Sequence, residues 1–225
     1  MTAPVPDRES YFTLWARTHG GYDPATGLWL VRAWLTVTYR LGRPLAARGV
    51  SPDAVTAAGV GLTLVVLPLT AAGGRWPLAG VVVVVAAGLL DNLDGCVAVL
   101  TGRVTAWGYV LDSVADRLCD GIYLLGLWLL GAPGWLAVAA AVPLVLLEYI
   151  RARAGSAGFG DIGVVTVGER PTRVIVTAFA LLGAGLAPGL AGLAGTIGAA
   201  ATFGVCAVGV GQLVRVVHHR LAGHS

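Results

Sequence analysis

Six apolar stretches, each close to the length of a bilayer-crossing helix, dominate this 225-residue chain. They run over residues 53–72, 77–100, 107–131, 134–154, 172–188 and 191–214. A hydrocarbon core of about 30 Å takes ~20 residues of helix. Turn chemistry separates them: Gly73-Gly74, Thr101-Gly102, Gly131 with Pro133-Gly134, and Pro188-Gly189. The Val81–Val85 run has strand propensity, but lipid admits only helices or closed barrels, and these stretches are too long for barrel strands. The expectation is an all-α integral membrane protein of six transmembrane helices. Charged residues make up only 12% of the chain, against about 25% in a soluble domain. The 33 glycines suit helices that pack backbone to backbone in lipid, Gly183, Gly185, Gly192 and Gly195 among them.

Arginine placement sets the expected topology. All fifteen basic residues are Arg. Arg8, Arg17, Arg32, Arg40, Arg43 and Arg48 precede the first stretch; Arg103 follows the second; Arg151, Arg153, Arg170 and Arg173 lie between the fourth and fifth; Arg215 and Arg220 follow the sixth. The opposite side holds only Arg75. The positive-inside rule then puts both termini on the cytoplasmic face of a multi-pass protein of the cell membrane. Residues 27–48 alternate apolar and basic side chains at helical spacing, with Trp29, Trp34 and Tyr39 as anchors, and read as an amphipathic helix on the cytoplasmic surface. The expected organisation is an N-terminal cytoplasmic and interfacial segment over 1–50 and a catalytic six-helix domain over 51–220. Asp7, Arg8 and Glu9 make the first residues too polar for a secretory signal. Cys96, Cys119 and Cys206 show no metal-ligand spacing and read as buried thiols. His19, His218, His219 and His224 stand in polar terminal stretches and read as solvated. No basic tract points to nucleic acid.

Five of the twelve acidic residues fall between positions 91 and 120, inside or at the ends of the second and third stretches. A carboxylate in a bilayer costs ~2.5–3.5 kcal/mol on insertion scales, so intramembrane acids imply function and a neutralising partner. Asp91 and Asp94 are spaced i, i+3, with Gly95 and Ala98 on the same side. Gly108, Asp112 and Asp116 fall at i, i+4, i+8, one stripe of the next helix. The short turn between these helices lets the two faces meet. Four converging carboxylates repel unless cations intervene, and an all-oxygen set suits Mg²⁺, Mn²⁺ or Ca²⁺. Two such ions would clamp a pyrophosphate for in-line displacement. Gly95, Ala98 and Gly108 leave room for a flat nucleotide. A proton relay or cation pathway also places Asp in membrane helices and stands as the rival reading.

Asp91-Asn-Leu-Asp94-Gly95-Cys-Val-Ala98-Val99, eight residues, then Gly108-Tyr-Val-Leu-Asp112-Ser-Val-Ala-Asp116 resembles the signature of the CDP-alcohol phosphotransferases, DxxDGxxAR followed after eight residues by GxxxDxxxD. The resemblance implies a homodimeric enzyme in which the four Asp residues hold two divalent ions, Mg²⁺ or Mn²⁺, and Asp116 acts as general base. It implies transfer from a CDP-linked lipid to an alcohol with release of CMP. The motif's Arg is Val99 here. Arg103, one helical turn on, takes over its cation, or the donor site is altered. Ser51-Pro52-Asp53-Ala-Val-Thr56 is similar to the family's entry to the first span, near the donor site.

The stretches Glu148-Tyr-Ile-Arg151-Ala-Arg153-Ala and Glu169-Arg170-Pro171-Thr-Arg173 resemble those of the actinobacterial phosphatidylinositol phosphate synthases. Paired arginines can hold phosphate, and they are equally ordinary positive flanks. The resemblance implies that Arg151, Arg153, Arg170, Arg173 and Arg215 line a pocket for the acceptor's phosphate. Glu148 stands where that group has a small polar residue, and Gly155 where it has an acid. The expected reaction is transfer of the phosphatidyl group from CDP-diacylglycerol to an inositol-phosphate-type acceptor. Glycerol 3-phosphate or phosphatidylglycerol as acceptor, and a catalytically silent or transport protein keeping the acidic cluster, are the alternatives.

Overall fold

The computed structural model describes residues 5–18, 23–24, 26–158 and 165–222. His19 and His224 lie outside these residues. Among the described residues there are helices and turns and no strand. The order is α1 (Arg8–Thr18), α2 (Trp29–Ala47), α3 (Pro52–Leu64), α4 (Val66–Ala72), α5 (Pro77–Thr101), α6 (Ala106–Leu129), α7 (Gly134–Ser156), α8 (Arg170–Leu186), a single 3₁₀ turn (Pro188–Leu190) and α9 (Ala191–Ala222).

Local chemistry explains the boundaries. Ser51 caps α3 by accepting the Ala54 N–H at 3.2 Å, with Pro52 in the first helical position. The first apolar stretch is broken at Val65 rather than continuous. Pro68 has no N–H for the Leu64 carbonyl, and its ring crowds that group, which breaks the helix there. At the end of α5 the Arg103 N–H reaches the Ala98 carbonyl and the Gly102 N–H the Val99 carbonyl. That pattern needs a left-handed residue just past the helix, and Gly102 supplies it at φ +65°. Thr105 restarts the chain, its hydroxyl accepting the Gly108 N–H at 3.0 Å. The last helix runs to Ala222, eight residues beyond the apolar stretch. Nothing between 214 and 222 breaks a helix, and His219 and Arg220 suit its carbonyl end.

Among the described residues, four stretches are long and apolar enough to cross a membrane: Pro52–Ala72, Pro77–Thr101, Gly134–Ser156 and Pro188–Arg220. Of the six expected, α6 falls short because Asp112, Asp116, Arg117 and Asp120 interrupt its apolar run, and α8 because it has only 17 residues. Helix α1 had no counterpart among the expected elements.

The helices form two compact units whose boundary falls within α3, α5 and α6. The first comprises Met1–Gly61 and Ala86–Ala115. Its core joins Tyr11 and Phe12 of α1, Leu35 and Ala46 of α2, and Cys96 and Leu100 of α5. Helix α2 turns Leu35, Thr38, Gly42 and Ala46 inward and leaves Arg32, Arg40 and Arg43 exposed. The second unit comprises Leu62–Val85 and Asp116–Ser225, where α7 and α8 both pack on α9. Gly198 makes the closest approach possible, since a Cβ there would lie 2.7 Å from the Ala180 Cβ.

Candidate functional site

The first unit contains a cavity of about 400 Å³, within the usual range of small-molecule sites. Asp53 and Thr56 reach it from α3, Asp94, Gly95, Ala98 and Val99 from α5, Arg103 from the turn, and Gly108 and Asp112 from α6. All six donor-site candidates, Asp53, Thr56, Gly95, Ala98, Arg103 and Gly108, therefore come together on one cavity. Gly95 is exposed there, and a Cβ added to it would meet nothing within 4 Å, so a side chain would project into open space.

The carboxylates differ in how they are held. Asp94 is 6% exposed. Its Oδ2 accepts the buried Thr56 hydroxyl at 2.6 Å and its Oδ1 the Gly95 N–H at 2.6 Å. These donors fix its orientation in a place where a carboxylate has little water. Asp53 accepts the indole N–H of Trp107 at 3.2 Å, tying the start of α3 to the start of α6. Asp91 and Asp112 are half-buried, and each presents a carboxylate oxygen within 4.8 Å of the other. Asp116 stands one helical turn beyond Asp112 on α6. Oxygen donors at that separation fit a divalent cation such as Mg²⁺ or Mn²⁺.

The second unit holds a smaller polar cavity of about 60 Å³, lined by Asp116, Arg117, Glu148, Arg151, Glu169, Arg170 and Arg173 with Leu147 and Gly168. Three of the five acceptor-site candidates, Arg151, Arg170 and Arg173, line it; Arg153 and Arg215 are exposed and do not. Arg151 and Arg153 are two residues apart on one helix, so their side chains diverge and only one can face a given pocket. Each lining arginine has a carboxylate partner. Arg170 pairs with Asp116, and Arg151 with Glu169, its Nη1 donating at 3.0 Å. Arg173, 5% exposed, donates from Nε to Asp120 Oδ1 at 3.1 Å, and its Nη2 lies 3.0 Å from Oδ2. Arg117 lies 3.1 Å from Glu148 and 3.2 Å from Asp120. Burial alone would raise the Glu169 carboxyl, but the Arg151 ion pair and two 2.8 Å bonds from the Thr166 N–H and hydroxyl outweigh it and hold it below its ordinary value of 4.5.

Sequence reasoning missed several of these residues. Tyr11 and Trp15 of α1 line the larger cavity, and no motif signals them. Asp120 continues the i, i+4 stripe from Asp116, which was a readable sign. Glu148 was not missed, since it stands in the sequence as a departure within the acceptor segment, but its partner Arg117 shows only from the fold.

The sequence model of the family described as CDP-alcohol phosphatidyltransferase matches residues 49–210. A phosphatidylinositol phosphate synthase of Mycolicibacterium smegmatis is 39% identical over 160 residues, 65% of this chain and 68% of that protein. An archaetidylinositol phosphate synthase of Pyrococcus horikoshii is 35% identical over 144 residues, 64% and 75% of the two chains. Two crystal structures of the Mycobacterium tuberculosis phosphatidylinositol phosphate synthase are similar in fold, each at 29% identity. The one with CDP-DAG bound has a TM-score of 0.60 and covers 79% of this chain and 94% of that one. The complex with manganese and citrate has a TM-score of 0.62 and covers 80% and 88%.

Proposed function

Because the chain belongs to the CDP-alcohol phosphatidyltransferase family, we propose that it moves the phosphatidyl group of CDP-diacylglycerol onto a hydroxyl of an inositol-phosphate-type acceptor. The acceptor oxygen forms a bond to the β-phosphorus, the bond from that phosphorus to the bridging oxygen breaks, and CMP leaves. The observation that carries the reading is the carboxylate-lined cavity, with Asp94 held by Thr56 and with Asp91 and Asp112 spaced for a shared cation. Asp91, Asp94, Asp112 and Asp116 would hold two divalent ions, which when bound offset the charge of the diphosphate and of the leaving CMP. Asp116 takes the proton of the attacking hydroxyl. Gly95, Ala98 and Gly108 leave space for the nucleotide, and Arg103 at the cavity rim supplies a cation where Val99 replaces the family's Arg. Arg151, Arg170 and Arg173 receive the acceptor, with Arg153 and Arg215 guiding it from the exposed surface.

The same reading extends to the surroundings. Helices α6 and α8 cross the bilayer with the four longer spans, α2 lies along the cytoplasmic surface of the cell membrane, and the enzyme works as a homodimer with both termini inside. The arginine distribution supports the orientation.

One observation favours a second acceptor class. Arg117, Arg151, Arg170 and Arg173 are matched one for one by Asp116, Asp120, Glu148 and Glu169. Asp120 lies outside the cavity's lining, where the four arginines stand against Asp116, Glu148 and Glu169; Glu148 thus lowers the lining to a single positive charge, which suits a hydroxyl-rich acceptor without phosphate.

Purified protein with Mn²⁺ or Mg²⁺ and CDP-diacylglycerol, offered inositol phosphate, free inositol, glycerol 3-phosphate or phosphatidylglycerol, tests both readings by CMP release. Inositol phosphate is expected to give the fastest release, and free inositol would win under the second reading. Asp116→Asn is expected to bind donor yet lose turnover. No CMP with any acceptor would return the chain to the silent or transport class.

A further inference from the structure

Helix α1 lies outside the family-matched residues 49–210, yet two of its side chains, Tyr11 and Trp15, line the cavity that Asp94 and Asp112 also line. It is firmly seated. Asp7 caps it by accepting the Ser10 N–H at 2.9 Å. Tyr11 is 1% exposed and stacks on Tyr39 of α2 with ring centroids 5.6 Å apart, and the Tyr39 hydroxyl donates to the Pro6 carbonyl at 3.1 Å. The seat on the α5 side is Cys96 and Leu100, with Val99 and Trp15 packed against the same cluster.

Val99 is the position where the family motif carries Arg. A guanidinium there would need water or an anion beside the Tyr11–Phe12 cluster, whereas Val extends the apolar seat of α1. The substitution thus exchanges a cation on the cavity wall for an aromatic surface. Trp15 is half-buried, so part of its indole remains available to a ligand. Aromatic faces take nucleobases by stacking regardless of base identity. The carboxylates bind metal and phosphate, and a nucleoside diphosphate also has a flat base to place.

We propose that α1, outside the family-matched residues, is a wall of the donor site, with Trp15 as the surface against which the cytosine of the CDP-linked donor packs. This rests on the donor reading of the cavity given above. Trp15 binds ground state and transition state alike, so its loss acts on donor affinity rather than on the chemical step.

Steady-state CMP release at varied CDP-diacylglycerol tests this with wild-type enzyme, Trp15→Ala and Trp15→Phe. Base–aromatic stacking is worth about 5- to 150-fold in affinity. Trp15→Ala is expected to raise KM for the donor within that range and to leave kcat within threefold. Trp15→Phe, which keeps a stacking face, is expected to recover most of the loss. A KM for Trp15→Ala within twofold of wild type would overturn the proposal while leaving the donor reading intact. Should Trp15→Ala fail to fold, hydrogen exchange of residues 8–18 in the wild-type protein decides: CDP with Mn²⁺ is expected to slow it, and unchanged exchange at saturating CDP overturns the proposal. A wild-type protein that neither binds CDP nor releases CMP would fail at the donor reading itself, and the proposal would fall with it.

Discussion

Replacing Thr56 by Val isolates the bond that holds the most buried carboxylate of the larger cavity. The two side chains have nearly the same shape, so the change leaves no cavity and removes only the hydroxyl. Asp94 is 6% exposed and Thr56 8% exposed, and the hydroxyl donates to Asp94 Oδ2 at 2.6 Å. A hydrogen bond to a charged group is worth about 1.5–3 kcal/mol. At 1.36 kcal/mol per decade, loss of that bond corresponds to roughly a 10- to 150-fold fall in kcat/KM for CDP-diacylglycerol. The fall is expected because Asp94 then turns away from the orientation in which, on the proposed function, it serves donor and metal. Thr56→Ser keeps the hydroxyl and is expected to stay within a few-fold of wild type. Initial rates of CMP release at varied donor and fixed Mn²⁺ measure the ratio, and detergent melting curves separate an active-site loss from unfolding. If Thr56→Val retains kcat/KM within twofold and melts like wild type, the Thr56 bond does not position Asp94 for function.

Two further outcomes follow from the second unit. Arg173→Leu removes both Arg173 contacts from Asp120, 2% exposed, and leaves it Arg117 at 3.2 Å; breaking one partner of a buried pair costs about 3–5 kcal/mol. The melting temperature is expected to fall by roughly 6–20 °C, and Arg173→Leu with Asp120→Leu to recover much of it. The depressed Glu169 carboxyl gives a pH test whose sign is fixed: the folded state favours the ionised form, so its stabilisation is present above the ordinary value of 4.5 and is lost as pH falls through the lower folded value. Wild type is therefore expected to melt above Glu169→Gln near pH 6 and to lose that advantage below pH ~4.5; an advantage independent of pH would remove the ion pair from the account.

What was legible in the sequence is what a single helix encodes. Asp91 and Asp94 share a face because three residues make nearly a full turn, and Asp112 and Asp116 because four do. Gly102 and Thr105 end and restart the chain by their own backbone and hydroxyl chemistry. The rest depends on how helices rotate about one another, which spacing alone does not set. Arg173 and Asp120 meet across 53 residues, and Thr56 and Asp94 across 38. Helix α1 escaped notice because its apolar residues, Tyr11, Phe12, Leu14, Trp15 and Ala16, make a run of only six positions interrupted by Thr13, too short to mark a helix by its own pattern, and the seat that buries it comes from α2 and α5.

The charges of the two cavities explain why the motif's arginine can be lost. Around the larger cavity stand three carboxylates, Asp53, Asp94 and Asp112, against the single guanidinium of Arg103. Those groups sum to −2 when ionised, before Asp91 is counted, and a diphosphate adds further negative charge. One more arginine at position 99 would leave the sum negative, so on the proposed function the donor's diphosphate calls for bound cations at this cavity. Two divalent ions reverse the sign outright, which reduces a single guanidinium to a minor contribution. The residue at 99 is then free to serve packing, and Val99 serves α1. In the smaller cavity the reverse holds: four arginines face the three lining carboxylates Asp116, Glu148 and Glu169, a sum of +1 when all are ionised. There each single charge decides the balance, and on the proposed function Glu148 carries more weight for acceptor choice than Val99 does for the donor.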